Sequence, residues 1–207
     1  MPYILLHGLG QSASSWARTT DALQIPADDV LCPELSDWLH SHEPRYNSLY
    51  QAFTAYCSGL SQPLDLCGLS LGGILALQYA IESPSRVHSL VLIGAQSSMP
   101  RRLLRLQNAI FRFLPARAFA STGFGKKEFL GLCSSLMDLD FSPGLRNVAC
   151  PVLVLCGEND RANKSAAQQL HAQLPQSELM LIPRAGHEVN VDAPDALAQA
   201  LRSFWAV

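Results

Sequence analysis

A single serine, Ser70, stands in Gly68-Leu69-Ser70-Leu71-Gly72. An apolar run, Leu64-Asp65-Leu66-Cys67, leads into it, and an apolar helical run leaves it at Leu71. Strand, sharp turn and helix in that order lift the hydroxyl clear of a sheet, and glycine on each flank lets strand and helix approach closely. A serine hydroxyl is a weak nucleophile near neutral pH, so it needs a base within hydrogen-bond reach and an acid to orient that base. Of the six histidines, His187 follows an apolar strand in the loop Pro183-Arg184-Ala185-Gly186-His187. Asp160 follows another strand in Gly157-Glu158-Asn159-Asp160. In an open parallel sheet the loops after the strand C-termini converge on one edge, where Ser70 also emerges. Glu158 is the local competitor for the acid, and Asp138 and Asp140 are outside candidates. The turn His7-Gly8-Leu9-Gly10 exposes backbone amides at the same edge. The N–H of Leu9, with Gly10 as second choice, is expected to pair with the N–H of Leu71 around a developing oxyanion. His7 is expected to brace that turn.

The elements that must position these residues alternate along the chain. Strand-like runs fall at 3–6, 29–32, 64–67, 87–93, 152–156 and 179–182, and helical stretches at 15–23, 49–59, 71–82, 165–174 and 195–205. The strands read as continuous apolar runs, which suits burial on both faces of a parallel sheet. The expectation is a three-layer α/β/α fold: an open, mostly parallel sheet of about six strands with helices on both sides. Residues 1–207 form one domain, with a helical cap at 96–148 inserted in it. The cap holds helices near 101–114 and 127–137, joined by a flexible link at 117–126. The first has a polar stripe, Arg101, Arg105, Asn108 and Arg112, and an apolar stripe, Leu103, Leu106, Ile110 and Leu114.

Composition narrows the partners. A formal net charge of −2 argues against nucleic-acid or acidic-membrane partners. No apolar run is long enough to span a membrane. The N-terminus lacks the basic and apolar regions of a signal peptide. Six cysteines without C-x-x-C spacing read as buried free thiols, and the expected location is cytoplasmic.

With these residues in hand, the chain resembles the α/β-hydrolase fold superfamily. The resemblance rests on His7-Gly8-Leu9-Gly10 with Trp16, the elbow Gly68-Leu69-Ser70-Leu71-Gly72-Gly73, Gly157-Glu158-Asn159-Asp160 and Gly186-His187, in the order serine, acid, histidine. It covers essentially the whole chain. It implies Ser70 as nucleophile, His187 as general base then acid, Asp160 as orienter and the cap as a lid. This chain begins on the strand carrying His7-Gly8, without the antiparallel hairpin that often opens the family's sheet. The compact lid weakens any inference toward long-chain lipases. The expected activity is hydrolysis of a small or medium carboxylic ester or thioester through an acyl-serine intermediate, with no metal or organic cofactor. Alternatives are a C–C bond hydrolase or lyase with the same three residues, or a low-turnover ligand-binding protein. Among the cap arginines, Arg102 and Arg117 lie off the polar stripe and are candidates to pair with a substrate carboxylate.

Overall fold

The computed structural model describes residues 1–39, 42–60, 63–99, 101–119 and 123–207, without the side chains of Arg102 and Leu103. His40 lies outside the described residues. In chain order the elements are β1 (Tyr3–Leu6), α1 (Ala17–Leu23), β2 (Val30–Leu31), α2 (Tyr46–Ser58), β3 (Leu64–Leu69), α3 (Leu71–Glu82) and β4 (Val87–Ile93). There follow α4 (Arg101–Phe113), α5 (Lys126–Leu136), β5 (Val152–Gly157), α6 (Lys164–Gln173), β6 (Ser177–Ile182), α7 (Val189–Asp192) and α8 (Pro194–Trp205). Among the described residues, six strands form one parallel sheet in the order β2-β1-β3-β4-β5-β6.

Strand periodicity divides the core in two. Ile4 and Leu6 of β1, with Leu66, Leu90, Leu92 and Val154, pack on one face against α2, α3 and α6. Leu5, with Cys67, Leu69, Val91, Ile93 and Leu155, packs on the other face against α1 and α8. Successive side chains point to opposite faces, so an unbroken apolar run feeds both layers at once. The sheet edges depart from that rule. β2 is only two residues long, and β6 exposes Met180 and Leu181. Each borders a single strand and is only partly covered.

The chain moves from β1 out to β2 and then back across to β3, so strand order reverses between β1 and β3. The turns after these two strands, carrying Leu9 and Ser70, meet at that reversal, where open α/β sheets form a crevice.

Between β4 and β5 the regular elements among the described residues are α4, α5 and two short 3-10 turns, joined by irregular chain and one bridging pair, Ser98 with Asp140. The expected link at 117–126 is anchored where it is described. A short 3-10 turn, Ala116–Phe119, buries Phe119, and Phe124 is also buried. At the described positions, helix α4 leaves exposed the apolar stripe expected from its periodicity. Asn108 of the polar stripe is 4% exposed, whereas Leu106, Ile110 and Leu114 of the apolar stripe are 61%, 54% and 37% exposed. The helix packs through Leu104, Asn108 and Phe111 instead.

Candidate active site

Ser70 sits between β3 and α3 with φ 51° and ψ −111°. A non-glycine residue there is strained by about 1–3 kcal/mol and persists only where its surroundings over-determine it. They do so here. The Ser70 N–H donates to Ile93 O on β4 at 2.8 Å, and Ser70 O accepts from Ile74 N at 3.0 Å as α3 begins. A side chain at Gly68 would strike the Gly72 backbone, and one at Gly72 would strike Leu6 O. The two glycines let the helix rise directly off the sheet, with the serine at the bend.

Asp160 follows β5 and is buried. His187 follows β6 and is 40% exposed. The His187 Nδ1 lies 2.8 Å from Asp160 Oδ2. An Nδ1–H donated to the carboxylate would leave the Nε2 lone pair as the acceptor of the ring, and Asn163 Nδ2 lies 3.1 Å from the same Nδ1. Glu158 does not compete. Its carboxylate accepts the Arg184 N–H at 3.0 Å on the outer side of the β6 turn.

Three residues that sequence reasoning passed over complete this arrangement. Asn163 donates through Nδ2 to both Asp160 oxygens, at 3.0 and 2.9 Å, and its own N–H lies 3.3 Å from Oδ1. Gln96 Nε2 donates to Asn163 Oδ1 at 2.6 Å and fixes which way that amide points. Asn163 reads in sequence as the start of a helix, and nothing in its neighbours marks it out. Gly94 ends β4 with φ +55°, and a Cβ there would stand 3.0 Å from both Cε1 and Nδ1 of His187. The missing side chain makes room for the imidazole. A glycine directly after a strand was the available signal.

The turn after β1 is braced from below. The buried His7 holds Gly8 O through Nδ1 at 3.0 Å, and its Nε2 accepts the Leu35 N–H at 3.1 Å. Gln11 returns its N–H to Gly8 O and takes the Gly8 N–H on Oε1. Gln11 is in turn locked to the buried Asn190 by a pair of side-chain hydrogen bonds of 3.0 and 3.2 Å. Among the described residues, no acceptor takes the Leu9 N–H. Leu71 opens α3, so its amide is one that a helix cannot satisfy internally.

Leu9, Ser70, Leu71, Gly94, Asp160 and His187 line one cavity of about 390 Å³. Its remaining wall is mostly apolar, with Ile74, Leu104, Phe111, Phe129 and Leu136. Among the described residues, no Arg or Lys lines it. Arg117 is exposed on the short turn after α4, outside the cavity, because Phe119 is the residue that turn buries. The Arg102 side chain lies outside the described residues. A larger groove of about 780 Å³ runs between α2 and α5, but Ser70 does not line it. Cys133 is a second nucleophile type in the cavity wall, and burial pushes its thiol up to about 12, so it stays protonated near neutral pH. All six cysteines are free.

Comparison with known proteins gives a consistent result. A model of the alpha/beta hydrolase family matches residues 3–200. A Bacillus subtilis (strain 168) protein, provisionally named 2-succinyl-6-hydroxy-2,4-cyclohexadiene-1-carboxylate synthase, is 26% identical over 246 residues, spanning 97% of this chain and 89% of its own. An Escherichia coli O26:H11 protein, provisionally named carbamate hydrolase RutD, is 27% identical over 93% of this chain and 86% of its own. The crystal structure of the enol-lactonase from Burkholderia xenovorans LB400 superposes with a TM-score of 0.85 at 18% identity, covering 100% of this chain and 92% of that one.

Proposed function

Because the chain belongs to the alpha/beta hydrolase family and is a hydrolase-family enzyme, we propose that it cleaves a small or medium carboxylic ester or thioester through an acyl-enzyme at Ser70. The observation that carries this reading is the 2.8 Å contact between His187 Nδ1 and Asp160, made at the wall of the cavity that Ser70 also lines. In this scheme Ser70 Oγ attacks the acyl carbon as His187 Nε2 takes its proton. The N–H groups of Leu9 and Leu71 hold the oxyanion. His187 then protonates the departing alcohol or thiol. Water, deprotonated by the same nitrogen, attacks the acyl carbon and frees the acid and Ser70. Asp160 orients the ring and stabilises the imidazolium.

Residues 96–148 serve as the lid in this reading. Leu104, Phe111, Phe129 and Leu136 come from that segment and wall the cavity. The cavity volume and its apolar lining favour a short or medium, uncharged acyl group over a carboxylate-bearing one. The arginine clamp expected from sequence has no support at Arg117.

Replacing Ser70 with alanine tests the scheme. Turnover of p-nitrophenyl esters falls by more than about 10³-fold while the melting temperature stays within about 2 °C. Retention of most of the activity by Ser70→Ala rules the scheme out.

A second reading keeps the residues and changes the bond. The B. subtilis relative carries the name of a synthase rather than a hydrolase. Lyase or C–C chemistry would use Ser70 and His187 without a durable acyl intermediate. Rapid quench with an activated ester, followed by intact-mass measurement, separates the two: an acyl adduct supports the first reading and its absence the second.

A further inference from the structure

The outer face of α4 carries a combination that water alone does not favour. Phe113 is 90% exposed, Leu106 61% and Ile110 54%, and they project from one side of the helix. Arg105 and Arg112 are exposed along the flank of that apolar sector, and neither has a carboxylate partner among the described residues. The opposite face buries Asn108, whose Nδ2 donates to Ser134 Oγ at 2.7 Å. The Asn108 Oδ1 is buried with no partner among the described residues. A polar side chain has therefore gone inward while three large apolar ones stay out. Chain charge is divided just as unevenly. Residues 101–127 hold five arginines, two lysines and no carboxylate, a charge of +7, against −9 for the remaining 180 residues. The overall value of −2 conceals this.

We propose that α4 and the turn after it form a docking face for an anionic lipid surface, lying in the plane of the headgroups with Leu106, Ile110 and Phe113 inserted. A helix with one apolar face and a basic flank binds such a surface by burying the apolar side chains and by attraction to the headgroups. The face is a single convex helix rather than a groove, so it suits a deformable surface better than a folded peptide, which needs a groove to enter. A second copy of the chain is disfavoured on charge. A twofold contact through this patch sets one +7 segment against another. The other side of the same helix supplies Leu104 and Phe111 to the cavity wall, so docking would bring the cavity close to the lipid.

Vesicle sedimentation tests this without depending on chemistry at Ser70. Wild-type protein co-sediments with vesicles of phosphatidylglycerol and phosphatidylcholine at low ionic strength, and with pure phosphatidylcholine at least about tenfold more weakly. The triple variant Leu106→Ser, Ile110→Ser, Phe113→Ser loses about tenfold or more in binding to the anionic vesicles. The double variant Arg105→Gln, Arg112→Gln loses about thirtyfold at low salt, and the difference shrinks as salt is added. Neither variant changes hydrolysis of a water-soluble ester, since none of these side chains lines the cavity. The charge variant touches no apolar contact, so it decides the matter if the apolar variant folds poorly. Wild-type protein remaining in the supernatant with anionic vesicles overturns the proposal. So does undiminished binding by both variants, or a dimer in sedimentation equilibrium that the triple variant dissociates while vesicles have no effect.

Discussion

Gly94→Ala probes the fit between the end of β4 and the His187 ring. Gly94 has φ +55°, and the new Cβ would lie 3.0 Å from His187 Cε1 and Nδ1, inside the 3.4 Å at which ordinary contact begins. The ring must retreat by about 0.4 Å to restore ordinary contact. Its Nδ1 now stands 2.8 Å from Asp160 Oδ2, and whatever part of that retreat runs along the bond stretches it toward the ~3.2 Å limit of good geometry. Misplacement of a reacting group by ~1 Å costs on the order of 10²-fold, which scales to about a sixfold loss in kcat for the shift required here. The left-handed backbone adds about 1–2 kcal/mol of strain, offset by ~0.4–1 kcal/mol from the stiffer unfolded chain. A net loss near ~1 kcal/mol lowers Tm by about 2–4 °C for a domain of this size. Steady-state hydrolysis of p-nitrophenyl acetate at 25 °C, where the variant is still folded, reads the first effect, and a thermal scan reads the second. A variant with the lowered Tm but wild-type kcat refutes the reasoning, because the imidazole position would then not matter to turnover.

Other expectations follow from neighbouring contacts. Asn163→Ala removes the amide that holds both Asp160 oxygens, and kcat falls about tenfold with KM little changed, whereas Asn163→Asp sets a second carboxylate against Asp160 and does worse. Arg117→Ala leaves neutral and anionic esters equally well hydrolysed; a selective loss for the anionic ester would return Arg117 to the site. Burial pushes the thiols of Cys32, Cys150 and Cys156 up to about 11 and those of Cys57 and Cys133 up to about 12, from an ordinary value of 9.0. The folded state then holds protons that the unfolded chain releases, so stability is complete below pH ~9 and is lost as pH rises toward ~12. The slope is at most about 1.4 kcal/mol per pH unit for each thiol, and urea titrations at pH 8, 9 and 10 measure it. Unchanged stability across that range contradicts the assignment of these thiols as free and largely shielded from water, Cys32 being half-buried and the others buried.

How far the sequence reached depends on what kind of information each residue needed. Helix α3 begins and ends where the sequence reading puts it, Leu71–Glu82, because an elbow serine and an unbroken apolar run fix both its start and its packing. Strand β4 does so for the same reason, as a central strand buried on both faces. Leu9, Ser70, Leu71, Asp160 and His187 were legible as a group since parallel topology alone brings strand-end loops to one edge, and all five line the same cavity. Asn163 was not legible, because its role depends on an amide orientation set by Gln96, 67 residues away. The facing of α4 was not legible either. Periodicity shows which residues share a stripe, but only the packed structure shows that Leu104, Asn108 and Phe111 turn inward.

Fluorophosphonate labelling with peptide mapping tests the central claim most directly, because the reagent reports an activated hydroxyl whatever the natural substrate. Wild-type protein is expected to take up one phosphonate, on Ser70, with the rate falling by about 10³-fold in His187→Ala. A label on another residue, or a His187→Ala variant that reacts as fast as wild type, contradicts it.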